Sequence, residues 1–102
     1  MTTKFTVYVP DSRLDTVDVR SKLATLRWMV GGMTEIKATG SWIGERDTVV
    51  EPVTLVQFIL NEDTGPKTSI LKAHIRDLCE ILKSQGEESV LLERQEIEVE
   101  FI

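Results

Sequence analysis

Glycine, threonine and tryptophan are spaced so that they could hold the edge of a small ligand: Gly31-Gly32-Met33-Thr34 is followed by Gly40-Ser41-Trp42. Glycine leaves the backbone N–H groups open to close approach, so such a loop can grip an anion or a polar rim. Two features weigh against an anion. The pair follows a helical pattern, and the last turn of a helix carries partial negative charge. A double glycine is also what helix termination alone requires.

His74 could serve in acid–base chemistry near neutral pH. It lies on the flank of an apolar helical stripe, four residues after Ile70. Cys79 points to the opposite flank, and no carboxylate, histidine or thiol stands at a spacing that completes a metal or catalytic set. A helix-flank histidine with a hydrogen-bond partner is the structural alternative. Glu96, Glu98 and Glu100 alternate near the end of the chain. Alternate residues of a strand stand roughly 6.5–7 Å apart, too wide to share a cation easily. A charged edge strand protected from aggregation explains them better, and no metal site is expected. Serine triads, phosphate loops and dinucleotide fingerprints are absent, so no cofactor is implied.

Aromatic residues complete the candidate set. Trp28 falls off the first helical stripe and Trp42 falls late in a strand, positions suited to lining a pocket or anchoring an interface. The candidate ligand residues are therefore Gly31, Gly32, Thr34, Trp42, Tyr8 and His74. Trp28, Val56 and Phe58 are the candidates for a subunit interface.

Composition narrows the partners. The chain has 102 residues, a net charge of −5 and 41% hydrophobic content, the balance of one globular domain spanning 1–102. Its 12 basic residues are scattered among 17 acidic ones, which disfavours nucleic acid and anionic membranes. No apolar run approaches the roughly 20 residues of a bilayer span. The single cysteine and an opening Met1-Thr2-Thr3-Lys4 without an apolar core lead to the expectation of a cytoplasmic protein.

Periodicity supplies the elements that must position these residues. Lys4 to Val9 alternates as a half-buried strand, closed by Pro10 and Asp11. Val19, Leu23, Leu26 and Val30 align on a helix from about Thr16 to Val30, with Asp15 or Thr16 as its cap and Gly31-Gly32 as its stop. Strands follow over about Thr34–Ile43 and Val49–Leu60, joined by the hairpin Gly44-Glu45-Arg46-Asp47. Pro52 belongs at the start of the second strand's paired region or at a bulge. Val53 to Leu60 is apolar on both faces, the mark of a central strand. Thr64-Gly65-Pro66 opens a second helix with the stripe Leu71, Ile75, Leu78 and Leu82, stopped by Gly86. The last strand takes in Val90-Leu91-Leu92 and then Ile97, Val99 and Phe101, with a bend near Arg94.

Right-handed crossovers place the first and third strands centrally, in the order 4-1-3-2, with both helices on one face. This is an α+β, ferredoxin-like βαββαβ fold. Its open face should be covered over the third strand by a second subunit and wet along the fourth.

With this element order and Gly31-Gly32-x-Thr34…Gly40-x-Trp42, the chain resembles small uncharacterised ferredoxin-like domains of bacteria and phages. Several of those carry a similar double glycine, threonine and downstream Gly-x-Trp. As architecture the resemblance covers Phe5 to Phe101, and it implies no particular activity. Related architectures include PII-like trimers, which bind nucleotides between subunits, and dimeric α+β-barrel monooxygenases. The chain lacks the extended basic loop of the former and the His/Asn/Trp set of the latter. The leading expectation is a noncatalytic homo-oligomer that binds a small ligand or a protein. The alternative is a small dimeric α+β-barrel enzyme with a pocket near Tyr8, Trp42 and His74. An RNA-recognition sheet using Tyr8 and Phe58 ranks behind both, because the glutamates repel phosphates.

Overall fold

The computed structural model describes residues 2–61 and 66–102. The elements are β1 (Thr2–Pro10), α1 (Asp11–Leu14), α2 (Val17–Val30), β2 (Thr34–Ile43), β3 (Thr48–Asn61), α3 (Pro66–Ser84) and β4 (Leu92–Ile97). The strands form one antiparallel sheet in the order β2-β3-β1-β4, which is the expected 4-1-3-2 order read from the other edge. Among the described residues, no helix is long and apolar enough to cross a membrane.

The core lies between the sheet and the two long helices. Phe5, Val7 and Val9 of β1 and Val56, Phe58 and Leu60 of β3 meet Val19, Leu23 and Leu26 of α2 and the full α3 stripe, Leu71, Ile75, Leu78 and Leu82. Both stripes repeat at steps of three and four, so each helix presents one continuous apolar ridge to the sheet. Phe5 pairs with Phe58 and Val7 with Val56. That register fixes which half of β3 is covered by helices.

Here one expectation is corrected. Val56 and Phe58 are fully buried under the helices, so they are core and not interface. β3 is apolar on both faces, and its own pattern does not say which set turns to the helices. Pairing with β1 does. The open face instead carries Val53, Leu55, Gln57 and Ile59 of β3, beside Ile36 and Ala38 of β2 and Tyr8 of β1.

Local details sharpen other boundaries. Asp11–Leu14 forms an unexpected helical turn that buries Leu14. Thr16 occupies the N-cap of α2 without capping it, because its hydroxyl donates to Arg13 O at 2.8 Å. Gly31 takes the left-handed conformation, φ +83, as helix termination requires. Pro66 begins α3, as expected; Thr64 and Gly65 lie outside the described residues. β4 ends at Ile97, so Val99 and Phe101 are not strand residues, and only Glu96 of the three late glutamates lies in the sheet. Pro52 lies inside β3, opposite Thr39 of β2 and one residue before the pairing with β1 begins at Val53, so it does not mark the start of the strand's paired region. β2 and β3 continue together to Ile43 and Thr48, so their hairpin projects beyond the sheet as a two-stranded arm.

Candidate functional site

The arm and the segment after α3 enclose a groove on the open face of the sheet. Its cavity has a volume of about 900 Å³. Tyr8, Val53 and Leu55 form the floor, Ala38 to Ile43 one wall, and Gly86 to Ser89 with Leu91 the other. Glu51 also lines the groove.

Trp42 supplies the groove's largest flat surface. A Cβ built on Gly40 would meet Trp42 Cζ3 at 3.0 Å and Val53 Cγ1 at 3.3 Å. The indole therefore lies across the strand over Gly40, where any larger residue would lift it. The spacing Gly-x-Trp puts both residues on one face of β2, and the missing side chain makes room for the ring. Trp42 remains 44% exposed and lines the groove.

The facing wall is tied to α1. Arg13 Nε donates to Glu87 Oε1 at 3.2 Å, and Gln85 Nε2 donates to Thr16 Oγ1 at 3.0 Å. Behind the arm's base, Thr54 Oγ1 donates to Asp11 Oδ1 at 2.7 Å while Lys37 Nζ donates to Thr54 Oγ1 at 2.9 Å. Thr54 is fully buried, and these bonds satisfy its hydroxyl. Together they hold α1, β2, β3 and the Gly86 segment in one arrangement.

The electrostatics of the groove are acidic. Burial first, and then the Glu87 charge, push the Glu51 carboxyl above its ordinary value, with Arg13 pulling in the other direction. Glu51 pairs with Gly40 across the strands, on the face where the Trp42 indole lies. A hydrogen bond with Glu93 is the main cause that raises the Tyr8 phenol.

Of the expected ligand residues, the structure brings together Tyr8 and Trp42. Thr34 pairs with Gln57 at the far end of β2, and Gly31 and Gly32 precede it, whereas Trp42 pairs with Val49. Eight residues along a strand span roughly 26 Å, so the double glycine and the tryptophan do not share a site. His74 lies between the helices instead, where Lys22 Nζ donates to its Nδ1 at 3.0 Å and also reaches Asp77 at 3.6 Å. It does not line the groove. Trp28 is 86% exposed on α2. Glu51, Glu87 and Arg13 carried no signal in the sequence, because their meeting depends on strand register and on the path of the chain after α3. Among the described residues, no three His, Cys, Asp or Glu side chains converge as a metal site would need.

No protein-family model matches the chain, and no curated protein matches its sequence. Solved structures share its fold. The periplasmic divalent cation tolerance protein CutA from Archaeoglobus fulgidus aligns with a TM-score of 0.62 at 7% identity, covering 99% of this chain and 88% of that one. A phage SAM lyase in complex with S-methyl-5'-thioadenosine aligns with a TM-score of 0.62 at 20% identity, covering 93% of this chain and 81% of that one. The chain shares the ferredoxin-like α+β fold with both.

Proposed function

We propose that this chain is a homo-oligomeric domain that binds a small ligand of nucleoside type in the open-face groove. The observation that carries this reading is the flat indole of Trp42 over Gly40, with Tyr8 in the same groove. A purine stacks on such a surface through dispersion and quadrupole contacts. Glu51, Glu87, Glu88 and Ser89 of the lining offer acceptors for ribose hydroxyls. Support comes from the phage SAM lyase of the same fold, which holds S-methyl-5'-thioadenosine.

A second copy of the chain is the proposed cover for the rest of the open face. Ile36 and Ile59 are each 43% exposed there, beside half-buried Leu55. Such a stretch favours burial against a partner, whereas Glu93 and Gln95 of β4 keep their edge of that face polar.

Titration calorimetry with S-methyl-5'-thioadenosine tests the ligand, and light scattering tests the assembly. Binding that weakens at least about tenfold in W42A and Y8A is expected, from loss of stacking. A strictly monomeric protein with no heat of binding would overturn the proposal.

A second, catalytic reading rests on Glu51. A carboxyl beside aromatic rings suits an organic cation, because the ring faces and the carboxylates attract positive charge together. S-adenosylmethionine carries such a charge on its sulfonium. In this reading the chain is a lyase: the substrate's own carboxylate attacks its γ-carbon as the carbon–sulfur bond breaks. The bond's electron pair goes to the sulfonium sulfur, and a lactone and S-methyl-5'-thioadenosine are released. Incubation with S-adenosylmethionine and chromatography for S-methyl-5'-thioadenosine separates the two readings. Product formation that is lost in E51Q supports catalysis, and binding without turnover supports the noncatalytic domain.

A further inference from the structure

On the opposite side of the sheet, a separate cavity of about 310 Å³ opens between α3 and β4. Phe5, Ile75 and Leu92 form its apolar part, and Lys72, Arg76 and Arg94 line the remainder. We propose that this cavity is a binding site for a phosphoryl group, carried either as inorganic phosphate or as a phosphomonoester.

Charge marks the cavity out. The chain carries a net −5, yet among the described residues the polar ones lining this cavity are Lys72, Arg76 and Arg94, all cationic. Lys72 and Arg76 are four residues apart on α3, so their side chains rise from neighbouring turns of one helix face. Arg94 reaches in from β4, with its guanidinium 6.0 Å from the centre of the Phe5 ring. Like charges converging on one concavity raise its potential, and low-dielectric walls focus that potential on an incoming anion.

Geometry then selects the anion. A carboxylate is satisfied by one guanidinium, whereas a phosphoryl dianion has oxygens enough for two guanidinium forks and an ammonium. The buried faces of Phe5 and Ile75 give an attached organic group an apolar surface. Lys72 and Arg94 each engage another group of the chain, so a ligand competes with that interaction. Among the described acids, Asp77 faces Lys22 at 3.6 Å, and Glu96 stands two residues beyond Arg94 on the same face of β4.

The site is independent of the Tyr8–Trp42 groove, so its test is separable. Thermal unfolding and calorimetry are run with inorganic phosphate and with phenyl phosphate, against sodium chloride of equal ionic strength. A saturable rise in melting temperature is expected with phosphate, and affinity should drop at least about tenfold in the K72Q/R76Q double variant. W42A should leave that binding unchanged. Tighter binding of phenyl phosphate assigns the site to phosphomonoesters, and tighter inorganic phosphate assigns it to the free ion. Equal behaviour in phosphate and chloride, or phosphate binding that survives in K72Q/R76Q, would overturn the proposal. R94Q serves as a second variant where the double substitution fails to fold, and it must weaken binding too.

Discussion

Trp42 and Gly40 act as one unit: the indole lies where a side chain on Gly40 would stand, within 3.0 Å of a Cβ placed there. In an ordinary strand, alanine is better than glycine, because it restricts the unfolded chain. Here the gain is opposed by the ring, which must move by a few tenths of an ångström. Gly40→Ala is expected to change stability by less than about 1 kcal/mol. It should nonetheless shift the tryptophan emission and weaken ligand binding in the groove. Unchanged emission and affinity would show that the indole does not depend on Gly40.

The two glycines that end α2 should respond differently. Gly31 holds φ +83, whereas Gly32 does not lie in the left-handed region. Gly31→Ala is expected to cost about 1 kcal/mol, because a Cβ strains the left-handed conformation. Gly32→Ala meets no neighbour within 4 Å and should be close to neutral. Neither should alter binding at the groove. Chemical denaturation of both variants, with a titration of each, checks this.

Opposite faces of β3 should separate folding from assembly. Phe58 is fully buried among the helices, so Phe58→Ala is expected to destabilise by about 3–5 kcal/mol. Ile36→Glu and Ile59→Glu change the open face outside the groove and should leave a folded chain of smaller mass in light scattering. Unfolding of the open-face variants, or retention of the assembly, would contradict the proposed interface.

The Glu51 carboxyl is raised in the folded chain, so it binds its proton more tightly folded than unfolded. Its ionisation then opposes folding. That cost is absent below the ordinary carboxyl value and complete above the raised one. E51Q should therefore be more stable than the parent at neutral pH. The advantage should fade as pH falls into the ordinary carboxyl range. Melting temperatures of both proteins between about pH 4 and 8 measure it. A difference that does not vary with pH would refute the assignment.

Much of the fold was legible in the residues. The α3 stripe Leu71, Ile75, Leu78 and Leu82 became core as its spacing demands, and β1 buried Phe5, Val7 and Val9 as its alternation demands. Helix termination at Gly31 followed from local chemistry. These features depend on contacts within a few residues or on one periodic face. The site was less legible. Tyr8 and Trp42 stood out by type, but His74 and the double glycine stood out equally and belong elsewhere.

By itself the sequence determined the order of elements, the two helix ridges and the presence of a strand apolar on both sides, because each is written in local periodicity. Tertiary structure decided which face of that strand became core. The choice rests on the pairing of Phe5 with Phe58 and Val7 with Val56, contacts between residues far apart in the chain. The same long-range register set Glu51 opposite Gly40 and brought Glu87 to the groove through Arg13. No local pattern encodes those meetings, since each depends on where two distant segments come to lie.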